Sequence, residues 1–463
     1  MAASETTLIL PVESQVRELD GKLLLACAAA ERGFPVLIGS RAFVHYDITA
    51  MPRGVYLAKS MRSLSDRMFE ILRQLGHEIV AWDEEALVRF PQEDYYRRRL
   101  SPKALGLVSH LLAWGEDDAA IFRKFPAYPG TPIHVTGNPR IDLIRPDLRA
   151  YFDPEVAELR RRFGDFVMIN TNFGYVNAFA SSLNLMQESK TPGAGPVEGK
   201  NTLGMTTDFA RGLAAHKQAL FEHFRKLVPA LARAMPDHTI VLRPHPAEGH
   251  ETWKEAARGC RNVHVVNEKS VIPWLVATTV LVHNGCTTAV EAAVLDRPAV
   301  AYRPLTHSTF DLELPNSLSH ETFDLDELVT KVRAIAAGEL GASNGGARRA
   351  ILERHIASLE GPLAADRMVG AICEAGYHDR TPPRPSILRY LQGWLHARGR
   401  TAVKQIYRRR PGHRNADEFH EHRFPGTSVE DLRQRIRRLD DQLGRFGQLR
   451  VEEFSSHIFR IDG

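Results

Sequence analysis

Cysteine is scarce in this sequence and shows no pairing pattern. Cys27, Cys260, Cys286 and Cys373 are scattered, and no CxxC pair occurs. That spacing excludes a zinc-ribbon type of site and a disulfide framework, and it fits reduced thiols in a cytoplasmic protein. Long apolar runs are also missing: none approaches the roughly 20 residues that a bilayer span needs. No basic N-terminal region precedes an apolar core, so no signal peptide is expected. No GxGxxG follows the first predicted strand, which argues against a dinucleotide fold of the usual kind. Charge of one sign is not in large excess either, with a net charge of +4. What is present, 43% hydrophobic and 25% charged residues, is the composition of a soluble globular protein. At 463 residues the chain exceeds one ordinary core, so two α/β domains and an extension are expected.

The order of apolar runs and turns supports that division. Thr7 to Val12 reads as a strand, Glu13 to Asp20 as a polar loop, Gly21 to Ala30 as an Ala-rich helix and Phe34 to Gly39 as a second strand. Strand, loop, helix, glycine stop and strand make a βαβ opening. The loop carries Glu13, Arg17, Glu18 and Asp20. Further strands are expected at 54–58, 78–82, 110–114 and 132–135. The strand at 78–82 runs into Asp83-Glu84-Glu85-Ala86, where three adjacent acids repel unless they are solvated or used. The first domain is predicted to span 1–154. The second, 155–378, opens with a strand at 166–170 and then a stretch of low periodicity, about 175–207, that includes Thr191 to Pro196. A loop that long in a compact domain is usually functional or mobile. Helices and short apolar strands then alternate to about Gly376, the pattern of a parallel sheet covered on both faces.

The stretch Thr239 to Glu291 organises this second half. One strand ends in Arg243-Pro244-His245-Pro246. Another ends in His283-Asn284-Gly285 and opens a helix at Cys286-Thr287-Thr288. In doubly wound sheets ligands bind where strands finish and helices start. A helix N-terminus with free N–H groups and hydroxyls favours anions, phosphate above all. Arg243, His245, Thr287 and Thr288 are therefore candidates to converge on a phosphate-bearing ligand. The plainer alternative makes Thr287 a helix cap and His245 a side chain packed between prolines.

From Asp379 the character changes. Thr381-Pro382-Pro383-Arg384-Pro385 reads as a stiff linker. The segment 384–410 then carries Arg384, Arg389, Arg398, Arg400, Lys404, Arg408, Arg409 and Arg410 with no acid among them. Ile387, Leu388, Leu391, Trp394, Leu395, Val403 and Ile406 recur at helical intervals. A basic helix with an apolar side suits an anionic membrane surface. Packing across the two domains is the alternative. Residues 379–463 are expected to form a basic helical extension, with a last helix over 428–446.

The chain resembles the GT-B glycosyltransferases, in which two Rossmann-like doubly wound parallel-sheet domains face each other across a cleft. Arg243-Pro244-His245-Pro246 is similar to the HP motif of bacterial sialyltransferases, polysialyltransferases and Kdo transferases, and to an element of CDP-glycerol transferases. Glu84-Glu85-Ala86 resembles the D/E-D/E-G motif that carries their catalytic base, with Ala86 in place of glycine. The stretches LPVESQVRELDGKLLLA, VTGNPRIDLIRP, INTNFGYVN and HNGCTTAVEAA resemble a bacterial family of surface carbohydrate biosynthesis proteins. The resemblance implies a glycosyltransferase of cell-surface polysaccharide assembly (capsule or lipopolysaccharide), with a nucleotide-sugar donor as substrate and no other cofactor.

The best match to the implied donor is a CMP-activated acidic sugar, with a UDP-hexose or CDP-polyol as alternatives. His245 is expected to stabilise or protonate the leaving phosphate, Glu84 to act as base, and Glu18 to stand in reserve. Arg243, Asn284, Gly285, Thr287, Thr288 and Glu291 are expected to hold the donor, with Glu291 on its ribose. No metal is expected: Asp324-Leu325-Asp326 spells the DxD of another glycosyltransferase fold but stands at a helix start, where it reads as a cap. The acceptor would be a saccharide, free or lipid-linked, and nucleic acid is not an expected partner. The protein is expected in the cytoplasm, or at the inner face of the cytoplasmic membrane through 384–410. The alternatives are a non-hydrolysing nucleotide-sugar 2-epimerase of the same fold, and a non-catalytic glycan- or nucleotide-binding assembly protein.

Overall fold

The computed structural model describes residues 4–189, 195–343, 345–408 and 416–463. The chain divides into two compact units. The first is Met1–Leu87, Arg99–Tyr151 and Glu353–Gly463, and the second is Val88–Arg98 and Phe152–Leu352.

The first unit is built on β1 (Thr7–Val12), β2 (Val36–Ser40), β3 (Gly54–Ala58), β4 (Glu78–Ala81), β5 (His110–Ala113) and β6 (Ile133–Val135). The first three are buried at every position, as parallel strands covered on both faces must be. The six lie parallel in the order β2-β1-β3-β4-β5-β6. The winding direction therefore reverses between β1 and β3, and such sheets bind ligands at the carboxyl ends of those two strands. Here the structure corrects the sequence reading. The helix after β1 runs from Gln15 to Glu31, so Glu18 and Asp20 are helical residues and not loop residues. Gly21 lies inside that helix because the Arg140 backbone packs onto it: a Cβ there would stand 3.0 Å from Arg140 N.

The second unit contains β7 (Phe166–Asn170), a hairpin of β8 (Met186–Gln187) and β9 (Val197–Glu198), and then β10 (Thr239–Arg243), β11 (Val263–Val265), β12 (Val280–His283), β13 (Ala299–Tyr302) and β14 (His320–Thr322). Its six-stranded sheet is parallel throughout, in the order β11-β10-β7-β12-β13-β14. Counted from β7 this is the order 3-2-1-4-5-6 of nucleotide-binding sheets, and the reversal falls between β7 and β12. Register brings three strand ends level, since Asn170 pairs with both Arg243 and His283. Beneath them Val167, Ile169, Leu242 and Val282 pack with Phe173, Phe221, Phe224 and Trp253 into one core. The long helix Thr207–Ala234 presents that face because its apolar residues recur every three or four positions. The stretch of low periodicity before it holds the hairpin, and the Thr191–Pro196 turn lies largely outside the described residues.

The C-terminal segment departs from the expected helical extension. Its last residues form β15 (Arg450–Ser455) and β16 (Ile458–Asp462), and β16 pairs antiparallel with β2 at the edge of the first sheet. The close approach needs Gly39, where a Cβ would run into the His457 carbonyl. The basic segment does form a helix, Ile387–Arg408, and it packs on the helices Asp66–Leu75 and Arg41–Asp47 of the same unit. Gly393, Ala397 and Thr401, spaced by four, are its buried face. A Cβ on Gly393 would stand 2.6 Å from the Gln74 side chain. The large apolar residues point the other way: Leu388 is 82% exposed, Leu395 62% and Ile406 64%.

Candidate active site

In the second unit, the loops after β7, β10 and β12 are tied together where the winding reverses. Asn170, the last residue of β7, donates through Nδ2 to Thr288 Oγ1 at 3.1 Å and to Cys286 Sγ at 3.7 Å. Asn284 Nδ2 donates to Asn172 O at 3.3 Å. Gly285 has φ +79°, a left-handed turn that glycine adopts without strain. The turn opens the helix Thr287–Val294, whose cap position is Cys286 and not Thr287, with no side chain capping it. Burial raises the Cys286 thiol, so it stays protonated, in contact with Thr288 Oγ1 at 2.6 Å. His283 supports the turn from below. Its Nδ1 accepts from Gly285 N–H at 3.0 Å, which leaves the proton on Nε2, 2.8 Å from Ser319 Oγ. Burial pulls this histidine down to about 3, so it is neutral. Glu291 is buried on the same short helix, one turn beyond Thr287.

The Arg-Pro-His-Pro segment carries two different jobs. Arg243 is 3% exposed, and its guanidinium reaches the 267–269 loop. Nη1 donates to Asn267 Oδ1 at 3.2 Å, and Nη2 donates to the carbonyls of Glu268 at 3.1 Å and Lys269 at 2.7 Å. Its charge also lies over the Trp274 ring at 5.9 Å. Burial lowers its pKa to about 10, against the pull of Glu268. His245 is half-buried, and its Nδ1 accepts from Ala247 N–H at 3.1 Å. That bond puts the proton of the neutral ring on Nε2 and makes this atom a donor.

Glu248, which the sequence reading passed over, holds the whole turn. It is 1% exposed. Its carboxylate accepts from His245 N, Phe173 N, Thr171 Oγ1 and Trp253 Nε1 at 2.9 to 3.1 Å. Burial raises its carboxyl above the ordinary value although these four bonds favour the anion. The start of the 175–207 stretch clasps the same turn: Phe179 N donates to Ala247 O at 2.9 Å and Gly249 N to Asn177 O at 2.8 Å. An acid three residues after the histidine was the available signal for Glu248. Nothing in the sequence signalled Asn170 beyond its place at a strand end.

A cavity of about 780 Å³ opens beyond β13 in this unit, and Arg303, Asp311, Asn316, Ser319 and Lys331 are among its walls. Arg303 bonds Asp311 at 2.7 Å and Glu321 at 2.5 Å, so its charge is matched within the cavity wall. Asp324 caps its helix through Glu327 N at 2.8 Å, as its position predicted. Among the described residues no group of three or more His, Cys, Asp or Glu side chains is placed to hold a metal ion.

In the first unit the carboxylates gather near the ends of β1, β3 and β4. Glu18 is 1% exposed and accepts from Lys22 Nζ at 2.8 Å and from Lys59, while Lys59 also meets Glu13 at 3.0 Å. Against the upward push of burial, Lys22 and Lys59 hold the Glu18 carboxyl well below the usual carboxylate range. So low a pKa makes it a weak proton acceptor. Each of the three acids after β4 has a basic partner. Asp83 is clamped by Arg99, and Glu85 takes both Nη atoms of Arg17 at 2.7 and 3.0 Å. Against burial, Arg17, Arg99 and Lys59 hold Glu85 down at about 2. Glu84 is bound more loosely: Trp82 Nε1 donates to it at 2.7 Å, and Arg140 reaches it at 3.4 Å. Ala86 is fully buried behind them.

No protein-family model and no curated protein matches this sequence. Similar solved structures include a variant of the wall teichoic acid polymerase TagF, 10% identical with a TM-score of 0.49, over 81% of this chain and 90% of that one. A putative UDP-N-acetylglucosamine 2-epimerase from Listeria monocytogenes is 12% identical with a TM-score of 0.48, over 83% and 100%. Anabaena Alr3699/HepE in complex with UDP-glucose is 12% identical with a TM-score of 0.40, over 80% and 99%. The chain has two Rossmann-like units, each built on a parallel sheet, the first with an antiparallel pair of strands added at its edge.

Proposed function

We propose that this chain is a glycosyltransferase of bacterial surface polysaccharide assembly, moving a sugar from a nucleotide-sugar donor to a saccharide acceptor. The observation that carries the reading is the joining of the loops after β7, β10 and β12 at the reversal point of a 3-2-1-4-5-6 sheet. In this reading the second unit holds the donor. As the glycosidic bond to the nucleotide phosphate breaks, negative charge grows on the phosphate oxygen. His245 Nε2–H and the start of the Thr287–Val294 helix, with its hydroxyls Thr287 and Thr288, stabilise that charge as fixed donors. Glu291 accepts from the ribose hydroxyls. Glu84 of the first unit takes the proton from the acceptor hydroxyl; it suits this better than Glu18, whose anion two lysines already stabilise. These groups do the work that a metal does in other glycosyltransferases. A CMP-linked acidic sugar is the first candidate donor, and UDP-hexoses and CDP-polyols follow.

A second element of the proposal is docking of the Ile387–Arg408 helix on an anionic membrane surface. Its support is the outward apolar face, Ile387, Leu388, Leu391, Trp394 and Leu395, flanked by exposed Arg384, Arg389 and Arg398. No helix among the described residues is long and apolar enough to cross a membrane.

A thermal-shift screen of CMP, UDP, CDP and GDP tests the donor site. A nucleotide at a hundred times its Kd stabilises the native chain by about 2.7 kcal/mol. At least one is expected to raise the midpoint, and if none does the reading fails. Release of an epimerised nucleotide sugar in the absence of acceptor would replace transfer with epimerisation.

A further inference from the structure

Lys217 stands where the second unit has no visible use for a charge. It lies on the helix Thr207–Ala234, on the stripe that also carries Leu213, Leu220, Phe221 and Phe224, and it is 4% exposed. Apolar clusters flank it, one around Leu213 and Phe310, the other around Phe221 and Phe224. Its ammonium makes no hydrogen bond or ion pair with any described residue. The groups that act on it most strongly are Asp311, the Cys286 thiol and Glu248. Neither acid is available as a direct partner. Asp311 is engaged with Arg303 at 2.7 Å, with His216 at 3.2 Å and with His307 N at 3.0 Å. Glu248 already accepts four hydrogen bonds.

An isolated ammonium on a side chain this little exposed is unfavourable unless an anion joins it. His216, the neighbour of Lys217 on its helix, bonds Asp311 at 3.2 Å, and Leu312 stands 3.8 Å from where a Cβ on Gly285 would be, so this part of the long helix lies near the turn that opens the Thr287–Val294 helix. Two further polar atoms around that turn are buried and lack partners, Asn284 Oδ1 and Asn316 Oδ1. Asn316 Oδ1 is 3.6 Å from where a Cβ on Gly285 would stand. The ligand that would satisfy all three therefore offers an anion to the ammonium and N–H or O–H donors to the amides. A nucleoside phosphate joined to a sugar offers both. Meanwhile the guanidinium of Arg243 is hydrogen-bonded to the 267–269 loop.

We infer that Lys217 is the cation that receives the phosphate of the donor nucleotide, at the turn formed by Asn284, Gly285 and Cys286. This deepens the donor-site reading and rests on it. Calorimetric titration of the full chain with CMP, UDP and CDP, and with the corresponding nucleosides, tests it in wild type, Lys217→Met and Lys217→Gln. For the nucleotide that binds wild type, either substitution is expected to weaken binding at least about tenfold, the size of a lost charge-assisted bond. Nucleoside affinity should stay the same, and the ligand-free thermal midpoint should hold or rise, because an unmatched buried charge has been removed. Unchanged nucleotide affinity in a folded variant overturns the inference and leaves the donor site standing. A lowered ligand-free midpoint with nucleotide affinity retained makes Lys217 structural and overturns it as well. If no nucleotide binds wild type, the donor-site reading itself fails and takes the inference with it.

Discussion

At the scale of single residues, hydrogen-bond direction separates groups that look equivalent in the sequence. Arg243 and His245 are neighbours in one motif. Arg243 directs its N–H groups at backbone carbonyls of the 267–269 loop, while the Nδ1 of His245 is held as an acceptor by Ala247 N–H. A histidine fixed in that tautomer presents Nε2–H as a ready donor, which is what a departing phosphate requires. His245→Ala is therefore expected to lower single-turnover transfer by about a hundredfold or more. Near-normal turnover in a correctly folded variant would sink the assignment. The fold should survive, because Glu248 and the main chain of residue 245 hold the turn, and the ring adds the bond from Ala247 N–H. Glu18 shows the opposite case, a carboxylate whose surroundings have fixed its charge. With both lysines against it, Glu18→Gln is expected to cost the first unit about 3 kcal/mol, since it leaves the buried Lys22 without a carboxylate and Lys59 with Glu13 alone. The sign with pH follows from the lowered carboxyl. Its folded value lies below the unfolded value of about 4.3, so the stabilisation is present above that pH and is lost as pH falls through the folded value. Urea titrations at pH 7, 5 and 3 should show the gap between wild type and Glu18→Gln narrowing in acid. A gap that stays constant would mean the pair contributes no linked stability.

At the scale of elements, the Ile387–Arg408 helix is the one most altered by seeing the fold. Its periodicity shows an apolar side, and burial of that side is the ordinary expectation. The structure buries the other side, Gly393, Ala397 and Thr401, because small residues let the helix lie close against Gln74 and its neighbours. Not all of its cations face outward. Lys404 lies over the Tyr46 ring at 5.7 Å, and Arg408 bonds Asp417 at 2.6 Å, so both are used within the unit. Docking then relies on the exposed arginines, at about 1 kcal/mol each near an anionic surface, together with the apolar face. Truncation at Asp379 would be a poor test, since it also removes β15 and β16 from the first sheet. The double variant Leu388→Glu, Leu395→Glu changes only the outer face. Wild type is expected to sediment with anionic liposomes and far less with neutral ones, and the variant with neither. Equal recovery of wild type with both lipids, or no change in the variant, would reject the docking role.

At the scale of the whole molecule, the alternation of apolar strands and amphipathic helices was enough to determine two parallel α/β units. Most strand positions followed directly, because strands buried on both faces are short continuous apolar runs bounded by turn residues. The Asn-Gly turn with its helix start, and the His245 turn, were legible for a related reason: strand ends and caps have local chemistry. The sequence could not show what depends on contacts between distant residues. Strand order came from packing, and with it the reversal at β7 and β12 that gathers Asn170, Glu248 and Asn284 at one end of the sheet. The length of the first helix was misread because Gly21 resembles a boundary until Arg140 is seen against it. The last two strands were missed because β15 carries one buried residue and β16 is interrupted by Arg460, so neither gives a continuous apolar run. Lys217 was hidden as a single charge within a long amphipathic helix. Whether such a lysine reaches solvent or stands buried without a partner is decided by the elements that close over it, and only the tertiary structure supplies those.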